Sequence, residues 1–140
     1  MTSCVVDASV VAKLYFEEES SEDCVALFRS RPYLMAPDLL WAELANIAWK
    51  RCARGQLSPQ QANVILNEAL RLPIEIVPIR ELIHTALELA IQTGRTAYDC
   101  LYIALAIKQA CPLITSDRRL VNALARGPLA DCVRWVGHKK

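Results

Sequence analysis

Four carboxylates stand where the chain changes direction. Asp7 closes the apolar start of "VVDASV", Glu43 lies in "APDLLWAELANIAWKR", Asp99 in "TAYDCLYIALA", and Asp117 follows Thr115 in "CPLITSDRRL". Each falls at or near the end of a strand-like run or the start of a helix-like one, the places where open α/β sheets hold ligands. Each also has a purely structural explanation. Asp7 with Ser9 suits a turn or helix N-cap, Thr96 with Asp99 suits a capping box, Asp117 can cap "RRLVNALA", and Glu43 can be a surface acid favoured by a helix dipole. Capping does not explain the surroundings. Asp7 sits among Val5, Val6, Ala8 and Val10, and Asp99 shares its segment with an almost unbroken apolar run, so acids there are expected to be partly buried.

If the four converge, at ~6 Å and an effective dielectric of ~20 each pair repels by roughly 3 kcal/mol. Summed over all pairs, that approaches the whole stability of a domain. Such a cluster must take up protons or hold cations. Oxygen ligands without histidine or thiolate suit Mg²⁺ or Mn²⁺ rather than zinc or copper. An ion of that kind keeps waters, lowers their pKa and bridges phosphate oxygens, which makes metal-assisted phosphodiester hydrolysis the leading chemistry.

The elements that must position these acids follow from the apolar rhythm. Short apolar runs at residues 4–7, 33–36, 74–77, 112–115 and 132–136 alternate with longer amphipathic segments, a pattern that predicts an α/β fold with a parallel sheet covered by helices. Helical spacing relates Leu39, Leu40, Leu44, Ile47 and Ala48; Leu82, Ile83, Ala86, Leu89 and Ala90; and Leu101, Ile103, Leu105 and Ala106. Pro37 reads as a helix start, Gly55 and Gly94 as helix ends, Ser58 with Pro59 as another start, and Pro73 and Pro78 as brackets around a strand.

Composition narrows the setting. A chain of 140 residues suits one domain spanning positions 1–140. A formal net charge of +1 favours neither a broad nucleic-acid face nor a polybasic membrane patch, so an anionic partner must be met locally. The 54% apolar share leaves surface for self-association or a protein partner. With no basic leader and no apolar stretch near the ~18 residues of a membrane span, a soluble cytoplasmic protein is expected, without membrane contact. Cys4, Cys24, Cys52, Cys100, Cys111 and Cys132 form no CxxC and read as reduced thiols. His84 and His138 lack ligand spacing, which argues against structural zinc and makes His84 a helix-surface residue.

With these residues in place, the chain resembles the PIN domain family, and in particular the VapC-type toxin ribonucleases. The resemblance runs essentially end to end, through "VVDASVVAKLYFEEE", "APDLLWAELANIAWKR", "TAYDCLYIALA" and "CPLITSDRRL". It implies a three-layer α/β/α sandwich around a mostly parallel sheet, and a Mg²⁺- or Mn²⁺-dependent endoribonuclease. Asp7, Asp99 and Asp117 would stand nearest the metal, with Glu43 acting directly or through water. Thr115 would orient an acid or a water by hydrogen bond, and Ser9 is a secondary candidate for the same task. Arg118 and Arg119 follow Asp117 where some relatives carry a further acid, so the resemblance leaves one metal or two open. The implied products are a 5′-phosphate and a 3′-hydroxyl. Arg118, Arg119, Lys50, Arg51 and Arg54 are candidates for the RNA backbone, whereas Glu17, Glu18 and Glu19 read as solvated surface. The resemblance also implies a small cognate antitoxin covering the acidic site and a homodimer, with the helices at 39–49 and 63–72, carrying Trp41 and Trp49, as candidate partner surface.

Rival readings fail on named residues. A receiver domain needs a lysine after its last strand, but Lys139 and Lys140 lie in a tail beyond "RWVGH"; a haloacid-dehalogenase phosphatase wants an aspartate where Ser9 stands. A non-catalytic PIN-like binding module, or a PIN nuclease of RNA processing without an antitoxin, carries the same acids and stays open.

Overall fold

The computed structural model describes residues 2–137, so His138, Lys139 and Lys140 lie outside the described residues. The strands are β1 (Ser3–Val6), β2 (Tyr33–Pro37), β3 (Ile74–Val77), β4 (Leu113–Thr115) and β5 (Val133–Trp135). The helices are α1 (Ala8–Ala12), α2 (Ser21–Arg29), α3 (Leu39–Ala53), α4 (Pro59–Ala69), α5 (Ile83–Thr93), α6 (Ala97–Lys108) and α7 (Arg118–Leu124). All strand pairs are parallel, in the order β3-β2-β1-β4-β5, and helices complete a three-layer α/β/α sandwich.

Parallel strands covered on both faces read as continuous apolar runs, which is why the strand expectations agree with the structure to within about a residue at each end. The chain steps outward from β1 through β2 to β3, then crosses back by α5 and α6 to enter β4 on the other side of β1. The carboxyl ends of β1 and β4 therefore form the switch point where a parallel sheet leaves a crevice. Asp7 follows β1 there; Thr115 ends β4 and Asp117 stands two residues on.

Helix α6 is apolar all round, as a helix in the interior must be, and residues 100–106 are all buried. Its start is set by a short turn. Gly94 closes α5 at φ 74°, a left-handed conformation glycine adopts without strain, and Thr96 caps α6 by accepting the Asp99 N–H at 3.1 Å. Asp99 is thereby fixed in the first turn of the buried helix.

Two local expectations need correction. Pro37 ends β2 instead of opening α3, at the last ladder position, where its missing N–H is tolerated; Asp38 then accepts the Ile79 N–H at 3.0 Å instead of capping its own helix. Ile83 is 41% exposed, so α5 buries a narrower stripe, Ala86 and Leu89, continued by Leu82 at its N-cap. Among the described residues no helix is long and apolar enough to cross a membrane, and all six cysteines are free thiols.

Candidate functional site

Asp7 is the most constrained acid. Its side chain caps α1 by accepting the Val10 N–H at 3.3 Å, so the capping explanation holds, yet the residue is only 8% exposed and has further work. Ser9 Oγ donates to Oδ1 at 2.5 Å, and Thr115 Oγ1, fully buried, donates to Oδ2 at 2.5 Å. Both hydroxyls are oriented from behind, because Ser9 accepts the Ser116 N–H at 3.1 Å and Thr115 accepts the Asp117 N–H at 3.0 Å. With their acceptor sides engaged, the hydroxyl protons are directed at Asp7, and the carboxylate is gripped on both oxygens. Burial pushes the Asp7 pKa up; the Ser9, Thr115 and Val10 bonds pull it down, and the charge of Asp117 adds a smaller push upward. Desolvation, more than crowding by other acids, is therefore the main cause.

Glu43 is half-buried on α3 and accepts a 2.5 Å hydrogen bond at Oε1 from the hydroxyl of Tyr102, itself 3% exposed. Burial raises the Glu43 pKa, Tyr102 lowers it, and the charges of Asp7 and Asp99 raise it further. The Tyr102 phenol is held well above its ordinary value, first by burial and then by the charge of Glu43. Asp99 is half-buried and pairs through Oδ2 with Arg95 at 3.1 Å, which leaves the capping box at the start of α6 half made. The Arg95 Nε is buried with no hydrogen-bond partner. Asp117 caps α7, accepting the Arg119 and Leu120 N–H groups at 3.0 and 3.4 Å.

Asp7, Glu43, Asp99 and Asp117 line one pocket of about 460 Å³, together with Ser9, Asn46, Lys50, Tyr98 and Tyr102. Thr115 stands behind the wall and acts through Asp7. Among the described residues no group of three His, Cys, Asp or Glu side chains is gathered tightly enough to hold an ion as they stand. Each acid turns to its own partner: hydroxyls for Asp7, a phenol for Glu43, a guanidinium for Asp99 and backbone for Asp117. That is how uncompensated like charges are expected to arrange themselves. As a donor set the pocket fits a hard divalent cation, since its ligating groups are carboxylate and amide oxygens and neither cysteine nor histidine lines it.

Tyr102 and Arg95 have no place in the sequence expectations. Their signal was spacing, for Tyr102 lies three residues after Asp99 on α6 and Arg95 four before it, just ahead of the Thr96 cap. Of the basic candidates, Lys50 lines the pocket. Arg51 pairs with Glu18 and stacks over Phe16 at 4.1 Å, while Arg118 pairs with Glu19 at 3.4 Å and stacks over Trp135 at 3.9 Å. Arg54 and Arg119 are exposed, as is His84.

Two outcomes follow from this geometry. The folded pKa values of Asp7 and Glu43 lie above their unfolded values of about 4, so the native state binds more protons than the unfolded chain. Their contribution is fully present below about pH 4 and is lost as pH rises through the raised folded values. Urea denaturation in EDTA should show this decline in wild type and a shallower one in Glu43→Gln; equal slopes would contradict it. Tyr102→Phe leaves Glu43 without its buried donor and should cost about 1–3 kcal/mol in the same measurement, whereas a change under about 0.5 kcal/mol would mean the bond contributes nothing.

Comparison with known proteins gives the family. The PIN domain family model matches residues 4–125. Ribonuclease VapC3 of Pyrobaculum aerophilum is 37% identical over 120 residues, covering 84% of this chain and 92% of that protein. The crystal structure of PAE2754 from Pyrobaculum aerophilum superposes with a TM-score of 0.66 at 24% identity, over 87% of this chain and 79% of that one. A toxin-antitoxin complex from Klebsiella pneumoniae gives 0.64 at 15% identity, over 97% and 99%. The family match over most of the length, together with an all-parallel sheet whose switch point carries the acidic pocket, makes this chain a member of the PIN domain family.

Proposed function

We propose that this protein is a divalent-metal-dependent endoribonuclease that hydrolyses RNA phosphodiester bonds and serves as the toxin of a toxin-antitoxin pair. The observation that carries the reading is the shared pocket: four acids from four separate parts of the chain meet at the switch point, with one of them buried and held on both oxygens. The similarity to Ribonuclease VapC3 supports RNA as the substrate class. Asp7, Asp99, Asp117 and Glu43 would hold Mg²⁺ or Mn²⁺, which when bound lowers the pKa of water and neutralises phosphate charge.

The chain's own residues supply the rest. Ser9 and Thr115 keep Asp7 from rotating, so the most buried acid meets its ligand without reorganisation. Tyr102 holds only Oε1 of Glu43, and Arg95 likewise occupies only Oδ2 of Asp99, so each acid keeps an oxygen for a ligand. The Asp99–Arg95 pair balances the charge of the pocket while it is empty of substrate and is solvated enough to open. Lys50 stands at the rim, where a cation meets the RNA phosphate. Water attack with departure of the 3′-oxygen leaves a 5′-phosphate and a 3′-hydroxyl.

The toxin-antitoxin likeness supports an antitoxin partner; a segment of it would cover the pocket and set a basic side chain against the acids. A homodimer has apolar surface to use: Trp49, Val64 and Leu70, at 62%, 57% and 50% exposure, lie on or beside the helices expected to carry a partner, and Ile83, Leu87 and Ile91 form a stripe along α5.

Incubation of the purified protein with total RNA, with and without Mg²⁺ or Mn²⁺, followed by mapping of the cut ends, tests the reading. Wild type should cut only with metal and leave 5′-phosphates. Asp99→Asn keeps its backbone bond to Thr96 and should fold normally while losing cleavage. Cleavage retained by this variant would remove Asp99 from the site, and intact wild type inert on RNA with either metal would favour a binding module.

A further inference from the structure

A second cavity, of about 470 Å³, opens beside the amino-terminal ends of β1 and β4. It is lined by Arg31, Arg134, Trp135, Ser30 and Thr2 among others, and no acid lines it. Neither arginine makes a hydrogen bond or ion pair among the described residues, since all four ion pairs there use other cations. Arg134 is the more telling of the two. In the sheet register it stands opposite Ile114, which stands opposite Val6, so a half-buried guanidinium extends a row that is otherwise apolar. A cation on such a row without a partner among the described residues is in place for an anion from outside.

Trp135 lines this cavity and contacts a neighbour of the acidic pocket. It pairs in register with Thr115, the residue that grips Asp7, and its ring carries Arg118, the neighbour of Asp117, at 3.9 Å. The indole is held from its edge as well: a Cβ on Gly137 would meet Trp135 Nε1 at 2.6 Å, so only glycine allows the backbone to pass so close. The ion pair that engages Arg118 is exposed, 62% on the arginine side and 76% on Glu19, and such a pair is weak enough for phosphate to replace the glutamate. Basic side chains tracking a backbone around a fixed aromatic ring are the elements of single-strand recognition.

Building on the nuclease reading, we propose that Arg118, Trp135, Arg134 and Arg31 form a track that leads single-stranded RNA from the acidic pocket into the second cavity. Arg134 and Arg31 bind phosphates of the flank, and Trp135 stacks an unpaired base. The track binds RNA outside the bond that is cut, so it sets how long a single-stranded substrate must be.

The test uses the full chain carrying Asp7→Asn, which stops cleavage, with labelled single-stranded RNAs of about 4 and about 16 nucleotides, the range of site sizes for strand-binding grooves. Adding Arg31→Gln and Arg134→Gln should weaken binding of the longer RNA about tenfold, with a smaller effect on the shorter. Loss of two phosphate contacts should lower the slope of log affinity against log salt by about 1.4. Arg71→Gln, an exposed arginine lining neither cavity, should change nothing. In the cleaving protein the double variant should raise KM for the longer RNA with little change in kcat. Unchanged affinity and slope, an equal loss on both lengths, or an equal loss on duplex RNA would each overturn the track, as would a defect confined to binding an acidic protein partner. The two levels separate cleanly: a wild type that cuts RNA beside an indistinguishable double variant ends this inference and leaves the nuclease, whereas a length-dependent binding loss in a protein that never cuts keeps the track and ends the nuclease.

Discussion

A carboxylate buried at the end of the first strand is the constraint around which the rest of the molecule is arranged. Asp7 is 8% exposed, and a charged group at that depth is tolerated only where its oxygens are met by donors. The donors come from both sides of the switch point, Ser9 and Val10 from the start of α1 and Thr115 from β4, which fixes the two strand ends against each other. Backbone N–H groups of Ser116 and Asp117 set the directions of the two hydroxyls, so the same small network that satisfies Asp7 also shapes the turn that delivers Asp117. Stability and site geometry are thus one set of contacts, and the cost of holding a desolvated acid falls on the fold until a ligand offsets it.

Helix α6 extends the same logic across the core. A helix buried all round must satisfy any polar group it carries, and α6 does so with Asp99 in its first turn, paired with Arg95, and Tyr102 at its middle, bonded to Glu43. Tyr102 reaches Glu43 on α3 and ties the third acid-bearing element to the others. Around the rim the charges are settled in pairs: Arg95 on Asp99, and Arg51 and Arg118 on Glu18 and Glu19 of the loop after α1. That loop reads in the sequence as solvated acid, and it does remain at the surface, but two of its three glutamates hold arginines next in sequence to the pocket residues Lys50 and Asp117. These exposed pairs are weak, and a polyanion can exchange with them.

The sheet was legible because parallel strands leave the least ambiguous trace, unbroken apolar runs, and because Ser58–Pro59 and Gly94 mark their helix ends by backbone chemistry alone. The four acids were legible for a related reason, since a carboxylate beside a buried run has few places to be. Helix α1 was legible only as a turn or helix that Asp7 would cap, since five residues are too few to show a period, and α2, which buries only Cys24 fully, was not foreseen. What no local pattern could carry is pairing at a distance. Thr115 and Asp7 are 108 residues apart, and Tyr102 and Glu43 are 59 apart, so those hydrogen bonds appear only once the sheet and α6 have closed. Burial was anticipated for Asp7, but its pKa was expected to rise through crowding by neighbouring acids; desolvation proves the larger cause because the acids turn away from one another.

The central claim is that these four separately held carboxylates become one cation site. Titration of the metal-free protein with Mn²⁺, followed by calorimetry in the absence of RNA, addresses it directly. The account predicts saturable binding that is lost or weakened at least tenfold in Asp7→Asn and in Asp117→Asn, and is unaffected in Glu81→Gln, an exposed acid that pairs with Lys108 away from the pocket. Absence of saturable binding in folded wild type, or binding that survives both pocket substitutions, would contradict it and leave Asp7 as a capping residue gripped for the sake of the fold.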